Sequence, residues 1–149
     1  MITIYVSDNY YPAQTLADEY IETYTYKSPP NRLRDDGVLI HFRSVKVRPG
    51  EAILMEFPED RLGPLYQLEL ADLIIEWSNE HNVVFCTQSE AIILRILRRI
   101  REGKLQPDQV DVWFADDNKE PIRLNIDTDG EFVDQWPNGF FDWRAEELF

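Results

Sequence analysis

Apolar residues along this chain fall into short runs with either strand-like or helix-like spacing. Runs that are continuous, or that alternate with polar residues, predict strands. They lie at 1–6, 38–47, 52–57, 82–87, 110–115 and 121–127. The run 52–57, Ala-Ile-Leu-Met-Glu-Phe, is nearly continuous, which is typical of a strand buried on both faces of a parallel sheet.

Two stretches between the early strands have the composition or periodicity of helices, namely 13–24 and 64–79. The second has apolar residues at the i, i+3, i+4 and i+7 spacing that places them on one helix face. These residues are Leu70, Leu73, Ile74 and Trp77. We therefore expect that face to pack against the sheet.

A third helix is predicted at 89–105, where Ser89 is a candidate N-cap. Gly103 lies near its end and predicts the C-terminal stop. The apolar stripe of this helix consists of Ile92, Ile93, Ile96, Leu97 and Ile100. The stripe predicts a second helix packed on the sheet.

Turn-forming residues separate these elements. Tandem proline and Asp-Gly mark a loop at 27–37, and the Asp-Gly of 127–131 predicts a turn. The polar loop 116–120 is expected to join the last two strands as a hairpin. Because strands alternate with helices in the middle, we predict one domain over 1–149: a three-layer α/β sandwich with a mainly parallel sheet and a C-terminal antiparallel hairpin.

The net charge of −13 lies entirely in residues 51–149, which carry 22 acids and nine bases. Such a surface repels phosphate backbones, so nucleic acid is not an expected partner. The apolar runs are far shorter than the ~20 residues of a membrane span, and residues 1–6 do not form a secretory signal. Since the single Cys86 cannot form an internal disulfide, we expect a cytoplasmic protein.

Four motifs follow one another in an order that resembles a known family. They are Ile-Leu-Met-Glu-Phe-Pro-Glu-Asp-Arg-Leu-Gly-Pro, Val-Val-Phe-Cys-Thr-Gln-Ser-Glu, the arginine-rich 93–105 and Trp-Pro-Asn-Gly-Phe-Phe-Asp. Together they resemble the C-terminal half of ABC/SMC-related AAA ATPases, in the group related to overcoming-lysogenization-defect proteins that has a C-terminal region of unknown function. The resemblance covers 49–149, whereas 1–48 match nothing we can place.

The chain departs from this family where the chemistry of ATP hydrolysis is expected. The resemblance implies that the first acid after the apolar strand holds Mg²⁺ through water and that the second activates the attacking water. Glu56 stands at the first position and Phe57 at the second, and a phenyl ring cannot accept a proton. The position of the γ-phosphate-sensing histidine is occupied by Gln88, between Thr87 and Ser89.

The phosphate-binding loop is also missing from the sequence. That loop requires G-x-x-x-x-G-K-[ST], with glycines that let backbone N–H groups reach the phosphates. The only Gly-Lys pair, at 103–104, is followed by leucine. Because phosphoryl transfer depends on positioning and charge stabilisation, we predict a pseudo-ATPase that is not an enzyme and needs no cofactor.

Three functions remain open on these grounds. The first is a non-catalytic scaffold or regulatory module that binds a protein partner, including a second copy of the chain. The second is half of a composite ATPase, in which a partner supplies the phosphate-binding loop and this chain supplies Glu56, Gln88 and Ser89. The third is an acidic decoy of a nucleic-acid-binding protein.

Metal and thiol chemistry are weaker hypotheses. Glu56 and Glu59 are a candidate Mg²⁺ pair, but we prefer Glu56 at a strand end and Glu59 on a solvated loop, with no metal. A Cys86–His pair is conceivable, with His41 or His81, yet a lone cysteine in an apolar strand is more often a small buried residue.

Two groups of residues are candidates for partner binding. One is basic and includes Arg95, Arg98 and Arg99, which could instead pair with acids of the chain itself. The other is aromatic and includes Trp136, Phe140 and Phe141, which could instead close over the sheet and complete the core. We prefer the structural interpretation for both groups.

Overall fold

Six strands form one sheet in the computed structural model, which describes residues 1–7, 24–26, 44, 47–48, 51–115 and 120–139. The strands are β1 (Ile2–Val6), β2 (Tyr24–Tyr26), β3 (Ala52–Glu56), β4 (Val83–Thr87), β5 (Val110–Phe114) and β6 (Ile122–Leu124). The helices are α1 (Pro64–Ser78) and α2 (Glu90–Arg101), with short 3₁₀ turns at Pro107–Gln109 and Pro137–Gly139.

The strand order is β2-β3-β4-β1-β5-β6, and only the β5–β6 pair is antiparallel. The predicted α/β class, with a mainly parallel sheet and a C-terminal hairpin, is therefore confirmed. Strand β1 lies between β4 and β5, with Ile4 opposite both Phe85 and Val112. The strand predicted at 1–6, which lies outside the part of the chain covered by the family resemblance, is thus a central strand.

Both helices pack on one face of the sheet, and the other face is buried as well. The first face contributes Ile4, Ile53 and Phe85 to the main apolar cluster, which α1 and α2 cover. The second face carries Tyr5 and Leu54 in a smaller cluster. Burial of both faces is what a parallel sheet requires and accounts for the nearly continuous apolar strands.

Helix α1 presents a slightly different face from the predicted one. Leu70 and Ile74 are fully buried, but Leu73 and Trp77 are only partly buried. Ala71 is fully buried in their place. A small side chain at this position lets the helix approach its neighbours closely, which a count of large apolar residues does not detect.

Helix α2 begins and ends where its sequence signals indicate. The Ser89 hydroxyl accepts a hydrogen bond from Ile92 N at 3.1 Å, which confirms the N-cap. At the other end Gly103 has φ +70° and the Lys104 N–H donates to Arg99 O at 2.9 Å. This Schellman arrangement ends the helix at Arg101, before the predicted 105.

The predicted turn at 127–131 is present and lies against α2. One oxygen of Asp127 accepts from the backbone N–H groups of Asp129 and Glu131, both at 2.9 Å. Arg101 of α2 donates from Nε to the carbonyl oxygen of Asp129 at 2.9 Å. The turn is therefore fixed both by its own side chain and by the helix.

Some predicted elements fall outside the described residues. They include the helix at 13–24, apart from Tyr24, which belongs to β2. Most of the predicted strand at 38–47 is also outside, but Ser44 within it is helical, so a strand through that residue is wrong. In the part of the chain that the structure describes, no helix is long and apolar enough to cross a membrane.

Candidate functional site at the carboxyl edge of the sheet

Strands β3 and β4 end side by side, and this brings the sequence-predicted site residues together. Glu56, the last residue of β3, is paired in register with Cys86 of β4. The residues that follow β3 therefore face the end of β4 and the start of α2. This edge holds the six positions that the family resemblance singled out: Glu56, Phe57, Glu59, Thr87, Gln88 and Ser89.

Phe57 is part of the core at this edge. Its N–H donates to Cys86 O at 2.9 Å, which extends the strand pairing by one residue. Its side chain is only 8% exposed and belongs to the smaller apolar cluster with Tyr5, Leu54, Val84 and Cys86. Its φ is +41°, a conformation that is strained for a bulky residue. The residue at the expected position of the water-activating acid is thus a buried, packed ring.

Glu59 does not lie on a solvated loop, so that expectation was wrong. Its Oε1 accepts hydrogen bonds from Thr87 Oγ1 and from Gln88 N, both at 2.7 Å. Its Oε2 is buried and has no hydrogen-bond partner among the described residues. Burial raises the pKa of Glu59 and outweighs the opposing hydrogen bonds from Gln88 and Thr87. The carboxyl group therefore ties the loop after β3 to the end of β4.

Hydrogen bonds continue from this carboxyl group to both helices. Thr87 Oγ1 also accepts from Ser89 N at 2.9 Å. Ser89 Oγ donates to Gln67 Oε1 at 2.6 Å, and Gln67 Nε2 donates to Leu62 O at 2.7 Å. Gln67 was not identified from the sequence, since its contact depends on how α1 and α2 pack. The network connects the loop, β4, α1 and α2.

The network leaves few groups at this edge available to a phosphate. The hydroxyl groups of Thr87 and Ser89 and the backbone N–H of Gln88 each have a partner within the chain. A phosphate would have to displace these bonds in order to be bound by the same groups. The arrangement is that of a satisfied structural network.

The structure also shows where a phosphate-binding loop would have to lie. Such a loop joins a strand to a helix, and β1 ends beside β4, with Val6 opposite Thr87. The sequence that follows β1, Ser-Asp-Asn-Tyr-Tyr-Pro-Ala-Gln-Thr-Leu, contains no glycine. Without glycine a chain cannot easily adopt the tight turn that directs successive N–H groups at a phosphate.

The metal and thiol hypotheses gain no support from this geometry. Among the residues that the structure describes, no three or more His, Cys, Asp or Glu side chains converge as a metal site would require. Cys86 is buried near the carboxyl end of β4, whereas His81 precedes the opposite end of that strand and contacts Glu51 O. Cys86 and His81 therefore do not form a catalytic pair.

The basic residues of α2 pair with acids of the same chain. Arg95 and Arg99 both bind the Asp72 carboxylate of α1, with contacts of 2.6 and 2.7 Å. Arg98 pairs with Glu102 at 2.8 Å, although the Arg98 side chain stays 62% exposed. These contacts favour a structural role for Arg95 and Arg99 and leave Arg98 accessible to a partner.

Removing the Asp72 carboxylate should weaken the contact between α1 and α2. Burial is the largest influence on the Asp72 pKa and raises it, but the hydrogen bonds from Arg99 and Arg95 together lower it to about 2. Since 35% of this side chain is exposed, solvent weakens the pairs, and we expect Asp72→Asn to cost about 1–2 kcal/mol at neutral pH. Urea denaturation measures the loss, with the exposed Glu76→Gln on the same helix as the matched control.

The pH dependence of this stabilisation provides a second readout. The folded pKa of Asp72 lies below its ordinary value of 3.8, so the contribution is present above about pH 4. It should be lost as the pH falls through about 2. A difference between wild type and Asp72→Asn that persists below pH 2 would contradict the ion-pair assignment.

Trp136 packs inside the molecule and is not an exposed docking residue. Its ring contacts Phe132 and Phe114 edge to face, with centroids 4.7 and 6.3 Å apart. The side chain is buried in the main apolar cluster. This contradicts an interaction role for Trp136 and supports core closure. Phe140 and Phe141 lie outside the described residues.

Replacing Glu59 by glutamine should make stability less sensitive to pH. The folded pKa of Glu59 is raised, so its contribution is greatest below the ordinary glutamate value and is lost as the pH rises through the folded value. Glu59→Gln keeps an acceptor oxygen for Thr87 and Gln88 but cannot ionise. The variant should gain stability relative to wild type in urea titrations as the pH rises above 4.5. A constant difference across that range would contradict the burial of this carboxyl group.

Comparison with known proteins gives no relative for this chain: no family model, curated protein or solved structure matches it. The functional interpretation therefore depends on the site itself.

Proposed function

We propose that this chain is a non-catalytic, ATPase-derived module that acts as a scaffold or regulator through protein contacts. The observation that carries the proposal is the position of Phe57. A buried phenyl ring, packed against Tyr5 and Leu54, stands where the resembled ATPases have the acid that activates water. A general base typically contributes about 10²–10⁴-fold to a rate, and this ring cannot act as one.

The hydrogen bonds at the carboxyl edge support the same proposal. In the resembled ATPases the residue at the Gln88 position senses the terminal phosphate. Here the backbone of Gln88 and the hydroxyl of Thr87 both donate to Glu59. Groups that face a ligand in a working site are used to hold the loop, β4 and the helices together.

A protein partner is the ligand class that this proposal names, and a second copy of the chain is one such partner. The acidic surface supports a partner with basic residues because opposite charges favour encounter. The accessible Arg98 on α2 adds one positive group to this surface. We place the module in the cytoplasm, which the single cysteine supports because disulfide frameworks belong to oxidising compartments.

The composite ATPase is the second candidate, and Glu56 favours it. This acid ends β3 at the position of the Mg²⁺-associated residue and is only partly buried. A partner that contributed a phosphate-binding loop beside β1 could use it. The other groups that this candidate requires, the backbone of Gln88 and the hydroxyl of Ser89, are already hydrogen-bonded within the chain.

Phosphate release from ATP·Mg²⁺ tests the proposed lack of catalysis. We expect the purified wild-type chain and its Glu56→Gln variant to release phosphate at the same background rate. The variant separates activity of this chain from activity of a contaminating ATPase. Release above background that Glu56→Gln abolishes would overturn the proposal, and activity that arises only with a second protein would establish the composite ATPase instead.

A further inference from the structure

The loop between β3 and α1 joins the hydrogen-bonded carboxyl group of Glu59 to two features that the proposed function does not use. Glu59 has one carboxyl oxygen bound to the end of β4 and one that is buried without a partner among the described residues. Phe57 and Arg61, two residues away on either side of Glu59, have φ values of +41° and +69°. In the described part of the chain these are the only residues other than glycine with positive φ.

Each of these features stores free energy that opening of the loop would release. A non-glycine residue in the left-handed region has a steric cost, because its Cβ crowds the backbone. A buried carboxylate oxygen without a hydrogen bond adds a desolvation cost that becomes large once the group is charged. A neutral Glu59 that keeps its contacts with Thr87 and Gln88 therefore favours the closed loop.

We propose that residues 57–62 form a proton-controlled latch, which is closed when Glu59 is protonated and opens when Glu59 ionises. In the closed state the contacts of Oε1 with Thr87 and Gln88 hold the loop against β4. Ionisation requires water to reach Oε2, and the loop must move for water to enter. Opening removes the Phe57 ring from its cluster and frees the end of β4.

Among the described residues, none of the contacts that set the pKa of Glu59 comes from a positively charged side chain. Thr87 at the end of β4, Gln88 and Ser89 before α2, and Gln67 of α1 do not titrate in this range. The charged residues of the loop and of the adjoining ends of β3 and α2 are Glu56, Asp60, Arg61 and Glu90, besides Glu59 itself. Helices α1 and α2 carry further charged groups, of which Arg95 and Arg99 bind Asp72. Asp60 raises the Glu59 pKa further, and Arg61 is exposed to solvent. Burial, reinforced by Asp60, therefore favours the protonated latch.

Nuclear magnetic resonance on the wild-type chain tests the latch directly. One measurement follows the chemical shift of the Glu59 side-chain carboxyl carbon as a function of pH. The other follows hydrogen exchange of the Gln88 and Leu62 amides. In the closed loop these amides donate to Glu59 Oε1 and to Glu59 O, respectively. The Ile53 amide, which donates to Asn82 O at the other end of the strands, is the internal reference.

We expect the carboxyl group to titrate above its ordinary value of 4.5. Protection of the two loop amides, corrected for intrinsic exchange, should fall tenfold per pH unit between 4.5 and that midpoint and then level off. Protection of Ile53 should not follow this change. Titration near 4.5, or loop protection that does not change with pH, would overturn the proposal.

Two variants of the loop separate the latch from general effects of charge. Glu59→Gln mimics the protonated group, so protection of the Gln88 and Leu62 amides should no longer change with pH. Asp60→Asn should keep the change and move it to lower pH, since Asp60 raises the Glu59 pKa. If Glu59→Gln does not fold, the test rests on the wild type. The pH at which protection of the amides levels off must then agree with the titration midpoint of Glu59, and disagreement overturns the proposal. If the pH effect is lost in Asp60→Asn but kept in Glu59→Gln, Asp60 and not Glu59 controls the loop, and the proposal is overturned.

Discussion

Replacing Phe57 by alanine should lower the free energy of unfolding by about 3–5 kcal/mol, because the change removes a buried ring from a packed cluster. The ring contributes to a cluster that also contains Leu54, Val84 and Cys86, and it is almost fully shielded from solvent. Urea denaturation measures this loss, and the m value should be the same as in the wild type. A loss below 1 kcal/mol would mean that the ring is not part of the core.

The glycine variant at the same position is a matched control for backbone strain. Both Phe57→Ala and Phe57→Gly remove the ring, but only glycine adopts φ +41° without a steric cost. We therefore expect Phe57→Gly to be more stable than Phe57→Ala by about 0.5–1 kcal/mol, the reverse of the usual order in strands. Alanine as the more stable variant would contradict the strained backbone.

Replacing Gly130 by alanine should cost about 3–4 kcal/mol, through two separate effects. Gly130 has φ +69°, which strains any residue with a Cβ. That Cβ would also overlap the carbonyl oxygen of Leu97 in α2. Neither the helix backbone nor the turn held by Asp127 can move away without breaking other contacts.

Gly103 provides the control for the Gly130 variant. Its φ of +70° is almost the same, but a Cβ there would have no described atom within 4 Å. Gly103→Ala should therefore show only the backbone strain, about 1 kcal/mol. Thermal and urea denaturation of the two variants compare the loss from backbone strain alone with the loss from strain and steric overlap together. Equal losses would contradict the close packing of the turn on α2.

Much of the fold was predictable because its signals are local. Five of the six isoleucines and leucines of α2 lie at helix spacing on one face and are buried, whereas Leu94 is exposed. Ser89 and Gly103 define the ends of that helix through backbone hydrogen bonds within a few residues. The last two strands likewise pair across a short connection. Such features depend on neighbouring residues and are therefore visible in a single sequence.

The features that were missed depend on contacts between distant parts of the chain. Strand β1 was predicted, but its place between β4 and β5 depends on pairing with residues about 80 and 110 positions away. Glu59 was expected on a solvated loop because Pro-Glu-Asp is a polar, turn-forming sequence. Its burial follows from positive φ values at Phe57 and Arg61, which their residue types do not indicate.

The candidate site was predicted in position but not in detail. The family resemblance identified the ends of β3 and β4, and these ends do lie together. It did not identify Gln67, which reaches Ser89 only because α1 packs beside α2. Trp136 was a candidate for partner binding for which core closure was the preferred interpretation, and its ring does pack in the core. An aromatic-rich sequence looks the same whether its rings bind a partner or complete the core.

Isothermal titration of the purified chain with ATP·Mg²⁺ is the most direct test of the central claim, that the carboxyl edge no longer serves nucleotide chemistry. Phe57 is buried, the hydroxyls and amide at the edge are already paired, and no glycine follows β1. The account predicts no heat of binding up to millimolar nucleotide. Micromolar affinity that Glu56→Gln weakens would contradict it.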